Sequence, residues 1–306
     1  MILVTGASGF VGHKIMECCR NTIACPSLRD KTEDEIRRIV EESVNHSSVD
    51  TIIHTAAISD IGVCQSNPEA SYIANVLIPV YLAKAVRAVG KVRTGGSLET
   101  VETVEPGKMA RTVKGNDLKL ICFSSDQVYT GLADDGPYTE EMTNGSTPAN
   151  LYAEHKLEME QRVLDIVPEA VMLRAEWMYD YYLKKPNYFM NMINATGVVS
   201  FSSRQYRGIT YVKEVAENME NVRELPGGVY NFGSETTKSM YEISRDFLAL
   251  IRTAGKDSVT VEDCEPRHNL WMNCGKAKEH GVVFRNVEDG LKACAEDYEM
   301  LQKIME

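Results

Sequence analysis

Tyr152 and Lys156 stand four residues apart in Tyr152-Ala153-Glu154-His155-Lys156. That is one helical turn, so both side chains project from the same face. An ammonium beside a phenol favours the phenolate and is expected to lower the tyrosine's pKa, fitting it to move a proton near neutral pH. With 14 tyrosines in the chain, about one Tyr-x-x-x-Lys pair arises by chance. Tyr181 and Lys185 make a second pair, and context separates the two. Only Tyr152 follows a buried apolar run, Leu118 to Phe123, that ends in Ser124-Ser125-Asp126-Gln127. A hydroxyl there is placed to bond a carbonyl oxygen as charge develops on it.

The second constellation is Val4-Thr5-Gly6-Ala7-Ser8-Gly9-Phe10-Val11-Gly12. Met1 to Thr5 reads as a strand, and from Phe10 the pattern turns helical, with Val11, Ile15 and Met16 on one face. Gly6 permits the tight turn, Gly9 lets the backbone approach an anion, and Gly12 lets the helix lie close on the sheet. A pyrophosphate would meet the amides at the helix start, which makes Gly6, Ser8, Gly9, Phe10, Val11 and Gly12 candidate cofactor contacts.

These residues need an open parallel sheet to position them. Thr22 to Cys25 and Thr51 to His54 read as the next strands, with a capping box at Thr32 and Glu35 opening a helix between them. The end of the second strand reads Cys25-Pro26-Ser27-Leu28-Arg29-Asp30, without the acid that binds adenosine ribose hydroxyls; Arg29 leans toward NADP, and Asp30 leaves NAD open. Ala56 and Ala57 follow the third strand, where small residues let a cofactor lie close. A long helix is expected from Asn67-Pro68 to about Val89, broken or bent near Pro79, with Asn75 either exposed or a buried strut. A surface hairpin is expected over roughly 100–114, around Pro106-Gly107. Pro148 is expected to open the helix carrying Tyr152. Further strands are read at Ala170 to Arg174 and at Gly228 to Phe232, and helices near Tyr188, from about Lys213, at Ser239 to Ile251 and from about Val287. The fold class is α/β, a Rossmann-type doubly wound parallel sheet over residues 1–175, with an insertion near 95–117. A smaller α/β substrate-binding lobe follows over 176–306, with some segments returning to the main sheet.

Composition narrows the function. The 306 residues carry a net charge of −11, with 43% hydrophobic and 25% charged residues, which argues against nucleic acid or an acidic membrane as partner. No secretory leader precedes the first strand and no apolar run is read as reaching membrane-spanning length, so a cytoplasmic protein is expected. The eight cysteines contain no Cys-x-x-Cys pair and read as small buried hydrophobes. Cys264, His268, Cys274 and His280 match no common zinc spacing, and no metal is expected.

Taken together, Thr5 to Gly12, Ala56-Ala57, Asn75, Ser124-Ser125-Asp126, Tyr152 with Lys156, Arg174, and Arg207 to Val212 followed by Glu214 resemble the extended short-chain dehydrogenase/reductase superfamily. Within it, Phe123 to Asp126, Arg174 to Tyr179 and Gln205-Tyr206 are most similar to the dTDP-4-dehydrorhamnose reductases. The resemblance implies NAD(P)H-dependent reduction of a nucleotide-linked 4-keto-6-deoxy sugar. Tyr152 would donate the proton, Lys156 would hold the nicotinamide ribose, and Ser125 would bond the carbonyl oxygen. Ser124 and Asn75 would contact the cofactor, and Asp126, Arg174, Arg207 and Arg267 the substrate, the last two at its diphosphate. It also implies a homodimer through the helices around Asn75 and Tyr152. A sugar-nucleotide epimerase, which needs the same three catalytic residues, and a non-catalytic regulatory subunit like that of methionine adenosyltransferase remain open. The dehydratases of the superfamily carry an Asp-Glu pair where this chain has Asp126-Gln127, and an amide cannot act as a general base.

Overall fold

The structure is a computed structural model that describes residues 1–94, 118–132, 135–181, 186–251, 259–265 and 269–305. The hairpin expected over 100–114, Lys184, Lys185, Arg267 and His268 lie outside them. The chain opens with β1 (Ile2–Thr5), α1 (Phe10–Cys18), β2 (Thr22–Ala24), α2 (Glu33–Ser47) and β3 (Thr51–His54). The capping box of α2 forms as expected: the Thr32 side chain accepts from the Glu35 amide and the Glu35 carboxylate accepts from the Thr32 amide.

The next stretch comprises α3 (Ile61–Ser66), α4 (Pro68–Tyr72), a π-helical turn (Ile73–Leu77) and α5 (Ile78–Thr94). Pro79 has no N–H for the Asn75 carbonyl, and the winding loosens just before it, with the Ile78 amide bonding back five residues to Ile73. Asn75 on that turn is fully buried. Residues 68–90 together are long and apolar enough to cross a membrane, with a mean hydropathy of 1.4, which corrects the sequence expectation. Here α5 packs against α2 and, downstream, α6 (Leu151–Ile166), as a core helix does.

Strand β4 (Lys119–Ser125) precedes α6, and β5 (Val171–Ala175), β6 (Trp177–Tyr179), α7 (Tyr188–Ile193), β7 (Val198–Phe201) and β8 (Ile209–Tyr211) follow it. Helices α8 (Val212–Glu217) and α9 (Met219–Arg223) lead to β9 (Gly228–Phe232). The described chain ends with α10 (Met240–Ile251), β10 (Thr260–Asp263), α11 (Gly275–Lys278) and α12 (Val287–Met305). The expected start of α6 at Pro148 is corrected: Asn150 caps it through the Ala153 amide, and Leu151 is its first residue.

The main sheet has six strands in the order β2-β1-β3-β4-β5-β9, every pair parallel. Its central strands β1, β3 and β5 are buried along their whole length, as a sheet covered on both faces requires. One apolar cluster joins one face to α2, α5 and α6, and a second joins the other to α1, α8 and α9. A third, rich in aromatics, gathers α7, β8, α10 and α12 around Tyr179, Tyr188 and Phe247. The strand order reverses beside β1, with β2 on one side and β3 on the other, so a crevice opens outside the carboxyl ends of β1 and β3.

Candidate active site

At the mouth of that crevice, Gly6 holds φ at +69°, a left-handed conformation that side chains resist. A Cβ added there would lie 2.8 Å from the Ala56 amide nitrogen. One added at Gly12 would collide with the Gly6 carbonyl and lie 2.9 Å from Thr55 Oγ1, so Gly12 is needed for closeness to the glycine turn and the adjoining strand end. Helix α1 is preceded by Gly9 as its N-cap, with no side-chain cap and no acidic residue in its first turn. Its leading amides therefore face the crevice with positive partial charge, and the cradle fits a pyrophosphate. Ser8 and Ala57 are exposed beside it, Phe10 and Val11 half-buried. Arg29 and Asp30 are exposed on the loop after β2, with Asp30 at φ +61°.

Across the crevice, β4 delivers Ser125 and α6 delivers Tyr152 and Lys156. Ser125 lies within electrostatic reach of the Tyr152 phenol, and its Oγ donates to Asp126 Oδ1 at 3.1 Å. Lys156 Nζ lies 5.7 Å from the centre of the Tyr152 ring and donates to the Phe123 carbonyl at 2.9 Å. Burial lowers the Lys156 ammonium to about 8. The expectation that Lys156 would lower the Tyr152 pKa is corrected. Burial pushes the phenol upward, the nearby Ser125 hydroxyl opposes the rise, and the Asp126 charge adds to it. Tyr152 is therefore a protonated phenol at neutral pH.

Arg207, just before β8, donates to Asp126 Oδ2 at 2.6 Å, and its guanidinium lies over the Trp177 ring, 5.3 Å from the centroid. Beside it a cavity of about 470 Å³ is lined by Arg204, Tyr206, Asn269 and Trp271, among others. Arg174 does not face this space. Its Nε and two NH groups are taken up by Glu160, Tyr129, Thr143 and the Glu140 carbonyl. A guanidinium with every donor engaged inside the protein is a scaffold group, which corrects its assignment to substrate. Ser124 is corrected likewise: strand alternation turns it away from Ser125, and it donates to Glu160 Oε1 at 2.5 Å. Asn75 is a strut. Its carboxamide accepts from the Ile58 amide at 3.1 Å and donates to the Ile58 carbonyl and to Ser71, and Ser71 is bonded in turn to His155 on α6. It holds the loop after Ala57 to the helix that carries Tyr152.

Sequence reading missed four polar residues that shape this region. Glu160 is the hub that receives Ser124 and Arg174. Asn231 on β9 accepts from Tyr129 Oη at 2.6 Å and its amide donates to Glu140. His54 at the end of β3 bonds Thr5 Oγ1 through Nδ1 at 2.7 Å. Burial, with the Lys156 charge adding, depresses it to about 3, so it is neutral. Glu176 is buried between β5 and β6. The available signal was a polar residue at the end of an otherwise apolar strand, visible for His54, Asn231 and Glu176 alike.

The family described as RmlD substrate binding domain matches residues 1–92 and 97–300. A dTDP-4-dehydrorhamnose reductase of Mycobacterium tuberculosis is 28% identical over 271 residues, 85% of this chain and 77% of that protein. The like-named protein of Mycolicibacterium smegmatis is 29% identical over 58% of this chain, a match spanning 46% of its own length. Mouse methionine adenosyltransferase 2 subunit beta is 27% identical over 93% of this chain and 83% of that protein. The fold is that of a Bacillus anthracis dTDP-4-dehydrorhamnose reductase solved with NADP, at a TM-score of 0.73, 18% identity, and coverage of 97% and 98% of the two chains. On the match along nearly its whole length, the chain belongs to the RmlD substrate binding domain family.

Proposed function

We propose that this chain reduces the ketone of a nucleotide-linked 4-keto-6-deoxy sugar, with NADPH favoured and NADH also accepted. The observation that carries the reading is Lys156 one turn along the same helix face from Tyr152, its ammonium 5.7 Å from the centre of that ring, with the Ser125 hydroxyl near the phenol. A nicotinamide cofactor, when bound, supplies the hydride that such a reduction needs. Gly6, Ser8, Gly9, Phe10, Val11 and Gly12 would hold its pyrophosphate, with Arg29 and Asp30 at the adenosine ribose. Ser125 bonds the ketone oxygen as it gains negative charge, and Tyr152, protonated beforehand, gives that oxygen its proton. Lys156 keeps a positive charge beside the developing alkoxide and favours it. Arg207 would meet the substrate's diphosphate, and the Tyr206 and Trp271 rings, 5.6 Å apart, would offer an apolar wall for its base. Residues 176–306 would supply most of the substrate side in a cytoplasmic, homodimeric protein.

The test follows NADPH and NADH absorbance with a panel of nucleotide 4-ketosugars. Oxidation matched by a reduced sugar supports the reading, and an epimer formed without net absorbance change replaces it with epimerisation. A second reading, a cofactor-binding subunit of a larger enzyme, draws on the long match to the mouse subunit. Cofactor binding without oxidation of any ketosugar, together with enhancement of methionine adenosyltransferase activity, would favour it.

A further inference from the structure

Glu176 sits where a carboxylate is expensive. Its side chain is buried, and Oε2 accepts from Thr210 Oγ1 at 2.9 Å. Oε1 has no hydrogen-bond partner among the described residues. A Cβ at Gly208 or at Gly233 would collide with this carboxyl, so two glycines from β8's approach and β9's exit leave the room it fills. Gly208 directly follows Arg207, whose Nε is also buried without a partner among the described residues.

We propose that Glu176 is a positioning residue for Arg207: seated against Gly208 and tied to Thr210, it fixes the backbone from which the guanidinium reaches Asp126. It does so as the uncharged acid. The charged and titratable groups around it are Asp126 from the turn after β4, Arg207, and Cys274 before α11. Burial pushes its carboxyl well above the ordinary range and the Asp126 charge adds to that, while Thr210, Arg207 and the Ser234 amide oppose it. An ionised Glu176 would compete with Asp126 for Arg207. Left neutral, it leaves Asp126 the sole carboxylate paired with Arg207 among the described residues, and the line from Arg207 through Asp126 to Ser125 stays aligned.

This inference rests on the reductase reading, and the experiment separates the two. Glu176→Ala should raise KM for the sugar nucleotide by about tenfold with a smaller effect on kcat. Glu176→Gln, uncharged and of the same shape, should restore the KM and remove any alkaline rise in KM that the wild type shows. Melting curves establish that both variants fold. A Gln variant as impaired as the Ala variant, or an Ala variant with unchanged KM, overturns the proposal. If the folded wild type turns over no ketosugar, the reductase reading fails and infrared difference spectroscopy decides this one. A protonated-carboxyl stretch at neutral pH that disappears in Glu176→Gln supports it, and absence of that band in the wild type overturns it.

Discussion

Arg174 and Glu160 form a two-pronged ion pair, Nε to Oε1 at 3.1 Å and Nη2 to Oε2 at 2.7 Å, both residues buried. It fastens α6 to β5 one turn beyond Lys156 and so sets the height of Tyr152 and Lys156 over the sheet. Removing one partner leaves the other charged and unpaired in the interior. Arg174→Ala is expected to destabilise the protein by about 3–5 kcal/mol, read by denaturant unfolding. A stable variant with a selective rise in substrate KM would return Arg174 to the substrate.

Tyr152→Phe keeps the ring and removes only the hydroxyl. Turnover is expected to fall about a hundredfold to ten-thousandfold, with cofactor affinity and melting temperature nearly unchanged. Full activity in this variant would remove Tyr152 as the proton donor.

Lys156 titrates at about 8 in the folded chain against 10.5 unfolded. Activity that depends on the ammonium should therefore decline as pH rises through about 8. Between these values the unfolded chain binds the proton more tightly. Burial of Lys156 thus costs stability most below pH 8, and the cost is relieved as pH rises from 8 to 10.5. Lys156→Met should abolish turnover yet raise the melting temperature at neutral pH, with the lost bond to Phe123 offsetting part of the gain. A lower melting temperature would mean that the ammonium is a net stabiliser.

His54 gives the opposite end of the pH range. Its imidazole titrates at about 3 folded and 6.5 unfolded, so acid draws the unfolded chain through this residue as pH falls from 6.5 toward 3. The expected loss by pH 5 is about 2 kcal/mol, and His54→Leu should flatten that part of the stability profile. An identical acid limb in the variant would place the sensitivity elsewhere.

The sheet was legible because parallel strands such as Ile2–Thr5 and Thr51–His54 are buried, mostly apolar runs whose turns carry glycine or small residues. Tyr152 and Lys156 were legible because a helix converts a spacing of four into a shared face. Arg174 and Ser124 were misplaced for a common reason: a residue type suited to a ligand is equally suited to a buried network, and only the three-dimensional position of Glu160 decides between them. The Tyr152 pKa was misjudged because neighbouring charge is visible in sequence and burial is not. The π-helical turn at Ile73–Leu77 was foreshadowed by Pro79 as a break, but the type of winding depends on where Asn75 must point.

Asn231 has a consequence for the order in which this protein can assemble. The glycine cradle, Ser125, Tyr152 and Lys156 all lie before residue 160, yet Tyr129 and Glu140, which bond Arg174 on β5, gain their Asn231 partner only on β9, the outermost strand at the far edge of the sheet. Emerging from the ribosome, the chain can close its cofactor half early. The loop between Ser125 and Tyr152 then waits some eighty residues, by the numbering from Tyr152 to Asn231, for its last anchor. A nascent chain halted before β9 would hold every reacting group and lack the keystone that sets the loop between them.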